Sequence, residues 1–103
     1  MKIREYIRED GSIPFKQWFD GLNHHAAAKV SIALARMETG NTSNIKWFSG
    51  LGEYKINWGP GYRIYLTKEK DEVILLLCGG TKKQQQKDIV KARKLLEEYR
   101  ARS

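Results

Sequence analysis

Residues 53–67 read Glu-Tyr-Lys-Ile-Asn-Trp-Gly-Pro-Gly-Tyr-Arg-Ile-Tyr-Leu-Thr, two alternating runs joined by Gly59-Pro60-Gly61. Alternation at a period of two is the mark of a strand, Pro60 suits the first central position of a turn, and Gly61 suits the positive-φ position after it. A β-hairpin with strands over 53–58 and 62–67 is predicted. The same alternation sorts its side chains: Tyr54, Ile56, Trp58, Tyr62, Ile64 and Leu66 share one face, while Glu53, Lys55, Asn57, Arg63, Tyr65 and Thr67 share the other. The first set is apolar and aromatic and calls for a cover of helices. The second gathers cations, a carboxylate and a phenol, and is predicted to stay open, either to water or to a ligand. A solvated Arg63 would then contribute little to stability.

Downstream, 72–78 holds the chain's longest apolar run, Val73-Ile-Leu-Leu-Leu-Cys78. It is apolar on both faces and is predicted as a central strand ended by Gly79-Gly80. A helix over 82–102 follows, with Ile89, Ala92, Leu96 and Tyr99 on one face and Lys83, Lys87, Lys91 and Lys94 close to the opposite one. Upstream, 2–8 alternates as a partly solvated strand, and Asp10-Gly11-Ser12 is a turn. Pro14 opens a short helix whose Phe15, Trp18, Phe19 and Leu22 lie at i, i+3, i+4 and i+7. Asn23 caps a second helix with Ala27, Val30, Leu34 and Met37 on one face and Gly40 at its end. Ile32 points away from that stripe, as a lone exposed apolar residue or a partner contact. Residues 41–52 are expected to be an ordered loop pinned by Trp47 and Phe48. The order β-α-α-β-β-β-α predicts one α+β domain over residues 1–103, an antiparallel sheet in which the last three strands form a meander, with helices packed over one face and the place of the first strand left open.

The chain has 103 residues, 19 Lys and Arg against 12 Asp and Glu, and a net charge of +7. That length fits one domain, and the basic excess points to polyanions such as nucleic acid. Five of those seven charges fall in residues 82–103, where a lysine stripe is either a solvated helix face or a salt-sensitive docking surface for RNA. The N-terminus lacks the apolar core of a signal peptide, and no run approaches the roughly 20 residues of a membrane span, so a soluble, cytoplasmic protein without membrane contact is expected. A single cysteine fits a reducing compartment, and Cys78 reads as a small buried hydrophobe rather than a nucleophile. His24 and His25 are adjacent and cannot clamp one ion, so no metal site is expected. No phosphate-gripping glycine loop or nucleophile elbow appears, and no cofactor is implied.

Taken together and in order, several short motifs carry a resemblance that covers essentially the whole chain. They are Pro14-Phe15-x-x-Trp18, Gly52-Glu53-Tyr54-Lys55-Ile56, Gly59-Pro-Gly-Tyr-Arg63-Ile-Tyr65, and Leu76-Leu-Cys-Gly-Gly80-x-Lys82-x-x-Gln85-x-x-Asp88-Ile89. The sequence resembles the RelE-like toxins of bacterial toxin-antitoxin modules, in particular the HigB-like addiction-module killer proteins. The resemblance implies a small RelE-like α+β fold that enters the ribosomal A site and cleaves mRNA there. It also implies a cognate antitoxin, usually with a helix-turn-helix, that holds the toxin inactive. Arg63 matches the family's arginine at the scissile phosphate, Lys55 a basic position on the preceding strand, and Lys82 the basic position after the last strand. Asn57 stands where some relatives have a second lysine, and the catalytic histidine of certain HigB proteins has no counterpart here.

These residue types suit a metal-independent attack of an RNA 2′-OH on the adjacent phosphate. Arg63 would grip phosphate oxygens with a planar fork, Lys55 or Glu53 would take the proton, Lys82 would add positive charge, and Tyr65 would orient the 2′-OH or stack on a base. Lys83, Lys87, Lys91, Lys94 and Asn57 are the expected RNA contacts. Two other functions remain open on sequence grounds. One is a ParE-like toxin of the same fold that binds DNA gyrase, and the other a non-catalytic nucleic-acid-binding module that uses the basic helix.

Overall fold

The computed structural model describes residues 1–102. Its elements run β1 (Lys2–Glu5), α1 (Pro14–Asp20), α2 (His24–Glu38), β2 (Ile45–Phe48), β3 (Leu51–Ile56), β4 (Tyr62–Lys70), β5 (Val73–Thr81), a short 3₁₀ turn (Lys82–Gln84) and α3 (Gln85–Arg102). The strands form one five-stranded sheet in the order β1-β5-β4-β3-β2. β1 pairs parallel to β5, and every other neighbour is antiparallel. The α+β class holds. The antiparallel meander of β3, β4 and β5 holds as well, but the sheet as a whole is mixed rather than antiparallel, because the N-terminal strand returns to its edge alongside β5 in the parallel sense.

Two further differences have local causes. Residues 45–48 form a strand instead of part of a loop, because Ser49 and Gly50 both adopt positive φ (53° and 81°) and close a two-residue hairpin with Phe48 opposite Leu51. A turn of that kind needs positive φ at both central residues, which matches the twist of the flanking strands. β5 also runs through Gly79 and Gly80 to Thr81 instead of ending before them. Both glycines face close neighbours: a Cβ on Gly79 would collide with the Trp18 indole of α1, and one on Gly80 with the Asp88 carboxyl of α3. They remain in the strand because their lack of a side chain lets helices approach it from both sides.

Helices on both faces are the main correction to the sequence reading. On one side α1 and α2 cover Tyr54, Ile64, Leu66, Ile74 and Leu76 with Phe15, Val30, Ala33 and Met37. On the other, Ala92, Leu95 and Leu96 of α3 pack on Leu51, Tyr65, Leu75, Leu77 and Cys78. The apolar stripe expected on α3 packs here, with Ala92 and Leu96 buried and Ile89 and Tyr99 partly buried beside them, and Leu95 joins it. The α2 caps follow the sequence: the Asn23 side chain accepts from the Ala26 N–H, and Gly40 takes φ 91° just past the helix. No helix among the described residues is long and apolar enough to cross a membrane.

The C-terminal half of α3 is tied down by polar contacts. Arg8 donates to both oxygens of Glu98 at 3.0–3.3 Å, and the Tyr6 hydroxyl donates to Glu98 Oε2 at 2.7 Å. Arg102 donates to Tyr6 Oη and to the Ile7 carbonyl. The Tyr99 hydroxyl donates to Glu69 on β4, which also pairs with Arg4 at 3.0 Å.

Two outcomes are expected from this packing. Gly79→Ala must displace a packed indole, whereas Gly80→Ala need only turn the end of one carboxylate side chain. Urea unfolding should therefore show Gly79→Ala losing about 1–3 kcal/mol, and Gly80→Ala losing less; the reverse order would contradict the packing described. The Arg8 and Tyr6 hydrogen bonds hold the Glu98 carboxyl below its ordinary pKa. A depressed carboxylate stabilises the fold above its unfolded pKa, and that contribution is lost as pH falls through the lowered folded value. Glu98→Gln should thus lower the melting temperature at neutral pH, and its deficit should vanish in strong acid, where the wild-type carboxyl is itself protonated.

Candidate functional site

The hairpin register sets three strands side by side. Lys55 on β3 lies opposite Arg63 on β4, and Arg63 lies opposite Gly80 on β5, which makes one row across the sheet. The next row along is Glu53, Tyr65 and Cys78. Lys82 joins the same end of the sheet, where its backbone N–H donates to the Gly61 carbonyl at 2.7 Å. The chain therefore brings Glu53, Lys55, Arg63, Tyr65 and Lys82 to one end of the sheet. It does not leave them on an open face. Glu53 is 2% exposed, Arg63 7% and Tyr65 not at all, because α3 lies across them. Lys55 and Lys82 stay exposed at the rim, as do Asn57 beyond β3 and the stripe of Lys83, Lys87, Lys91 and Lys94.

Under the helix, one carboxylate oxygen organises the cluster. Glu53 Oε2 accepts from the Tyr65 hydroxyl and from the Gln85 side-chain amide, each at 3.1 Å, and lies 3.6 Å from Arg63 Nε. That last distance is an ion pair and not a hydrogen bond. Arg63 Nε and Nη1 are buried without a hydrogen-bond partner among the described residues, and so is Asp88 Oδ2. Burial and the neighbouring Glu53 push the Tyr65 phenol far above its usual value, so it stays protonated and serves only as a hydrogen-bond donor to the carboxylate. Burial likewise raises Asp88, against the opposing pull of Lys91 and Lys87. Cys78 is pushed up to about 12 by desolvation and is inert as a nucleophile at neutral pH.

This geometry reassigns two roles. Glu53 is tethered on one oxygen and shut away from solvent, so it holds the arginine in place and has no route to a substrate proton while α3 is docked. Tyr65 anchors Glu53 and has no free ring face for a base. Sequence reasoning gave no role to Gln85 and Asp88, yet these are the groups through which α3 meets the cluster. The signal for them was present: they lie three residues apart, hence on one helix face, just after a pair of glycines that lets the helix close on the strand.

No family profile and no solved structure matches the chain. Over 89 residues it is 38% identical to an uncharacterized protein of Haemophilus influenzae, an alignment spanning 84% of this chain and 90% of that relative. At that identity and coverage, the chain belongs to the same family as the Haemophilus influenzae protein.

Proposed function

We propose that this protein is a RelE/HigB-like toxin of a toxin-antitoxin module, with a RelE-like fold, acting in the cytoplasm as an endoribonuclease on mRNA at the ribosome. The observation that carries the reading is Arg63: a buried guanidinium with two unused donor nitrogens, flanked at one sheet end by the exposed ammonium groups of Lys55 and Lys82. Buried polar groups are normally satisfied, and those left unsatisfied concentrate where a ligand is expected. A phosphate is the ligand that fits, since a guanidinium offers a planar fork to two of its oxygens and keeps its charge.

In the reaction, the ribose 2′-oxygen attacks the adjacent phosphorus, the 5′-oxygen leaves, and negative charge builds on the phosphorane oxygens. Arg63 meets that charge, oriented from behind by Glu53, which Tyr65 and Gln85 hold in place. Lys55 is the exposed group nearest in register to Arg63 and is our candidate for handling the 2′-OH proton, with Lys82 adding electrostatic stabilisation across the row. For phosphate to reach Arg63, the N-terminal end of α3 must give way. That end carries only the Gln85 bond to the cluster and the unsatisfied Asp88 carboxyl, whereas the other end is clamped. An antitoxin would silence the toxin by occupying the cationic sheet end or by fixing α3.

Expression without a partner is expected to arrest bacterial growth and translation, and mapping of mRNA 3′-ends in a programmed translation reaction should show new cuts. Intact message together with inhibited gyrase supercoiling would move the assignment to a gyrase-binding toxin.

Arg63→Lys keeps the charge but loses the fork, and should slow single-turnover cleavage by roughly 100-fold, by analogy with the loss of one oxyanion donor. Arg63→Ala should also destabilise the fold by a few kcal/mol, on the order of 3, because it leaves Glu53 charged and buried. This replaces the neutral effect expected for an arginine in water. Lys91→Ala should leave cleavage nearly intact and change only salt-dependent binding. Wild-type cleavage by Arg63→Lys in this assay would remove Arg63 from the chemistry.

A further inference from the structure

On the side of the sheet away from α3, a groove of about 270 Å³ runs between α2 and the end of the β3–β4 hairpin, lined by Lys29, Ile32, Arg36, Asn44, Lys55 and Trp58 among others. No carboxylate lines it. Among the described residues, Arg36 and Lys55 form no ion pair, and the Lys29 ammonium rests on the Trp58 ring, 5.7 Å from its centroid. Ile32 is 48% exposed and Trp58 36%, and the two give the groove an apolar strip between its cations. Ile32 is the residue that the helical pattern leaves off the buried stripe of α2.

Two like charges beside an apolar strip are matched by a partner that brings negative charge and apolar side chains together. The volume lies below the roughly 300–1,000 Å³ of pockets that enclose small ligands, so the groove suits side chains presented by a larger molecule. Single-stranded nucleic acid would supply charge, but its bases need a free aromatic face. Trp58 is already engaged by Lys29 and stacks on Tyr62 at 6.3 Å. An aliphatic residue such as Ile32 offers a base nothing comparable. We infer that this groove docks an acidic peptide segment of a partner protein, with a large apolar side chain seated between Ile32 and Trp58 and carboxylates meeting Lys29 and Arg36. The Lys55 side chain belongs to the Arg63 row on the other face and takes no part in this site.

The inference goes beyond the nuclease reading and does not need it. The test is fluorescence anisotropy with the full chain and three labelled probes: a short peptide of glutamates with leucine at every third or fourth position, a polyglutamate of equal charge, and a single-stranded oligouridylate. The leucine-containing peptide should bind more tightly than polyglutamate. Arg36→Glu and Ile32→Glu, both at exposed helix positions, should each weaken it by roughly tenfold or more, with Lys29→Glu as a third variant and circular dichroism as the folding control. Absence of peptide binding, or equal binding by wild type and folded variants, overturns the proposal. So does an oligouridylate affinity that collapses in these variants while peptide affinity stands. None of the three substitutions touches Arg63, so failure here leaves the nuclease reading intact, and loss of that reading leaves this one.

Discussion

The constraint on which the rest of the structure depends is that the middle of the sheet is apolar on both faces. β5 alternates Ile74 and Leu76 toward α1 and α2 with Leu75 and Leu77 toward α3, and β4 does the same with Ile64 and Leu66 against Tyr65. Leaving either set in water would forfeit roughly 1.5–3 kcal/mol for each large side chain. With α1 and α2 covering the first face, α3 returns across the second. The glycines at 79 and 80 follow from the same demand, since a strand covered closely on both sides has no room for a Cβ where the indole and the carboxyl come in.

Covering the second face has an electrostatic cost at its polar end. Placing α3 over Ala92, Leu95 and Leu96 contacts also places Glu53 and Arg63 out of water. At the separation seen here, attraction between the pair is worth about 4 kcal/mol in a medium of intermediate dielectric, while desolvation costs several kcal/mol for each ion. Summed over two ions, desolvation is the larger. With Nε and Nη1 of the arginine unpaired, the balance tilts against the pair as a stabilising device. On the proposed reading, a buried pair that contributes little to stability is a group held ready for its ligand.

Much of this was legible in the sequence, and the parts that were not share a cause. Alternation over 53–67 placed Tyr54 and Ile64 on one face and Glu53, Arg63 and Tyr65 on the other, and the Asn23 cap and Gly40 end of α2 were both readable, because each is a local rule acting within a few residues. What alternation cannot say is what lies over a face. The sequence reading left Arg63 in water because Glu53, Lys55 and Arg63 are polar, yet burial there was decided by Leu75, Leu77 and Tyr65 on the same face. The clue was β5, whose two apolar faces already required two covers. β2 was missed for a different reason: Ser49 is an uncommon occupant of a positive-φ position, so the turn that makes Ile45–Phe48 a strand had only its glycine to announce it.

The unequal anchoring of α3 connects these points. Toward its C-terminus the helix is held by Glu98, Tyr99 and Arg102, through the side chains of Tyr6, Arg8 and Glu69 and the Ile7 carbonyl. Midway, Arg93 donates to the Ser49 and Phe48 carbonyls and lies over the Phe48 ring. Toward its N-terminus, polar attachment to the sheet falls to Gln85, while Asp88 keeps an unsatisfied oxygen in a place that penalises its charge. Local opening begins where the fewest interactions must be lost. It would therefore begin at the turn after β5, unseal the Lys55–Arg63–Gly80 row, and stop before the apolar contacts of Leu95 and Leu96. Undocking the first turn releases the Asp88 desolvation penalty and exposes the unused donors of Arg63, so two unfavourable terms of the closed state are relieved by the same motion. An anion arriving at Arg63 would add its own binding energy to that balance, and this is the thermodynamic requirement for a ligand to shift such an equilibrium: it must interact better with the open state than with the closed one.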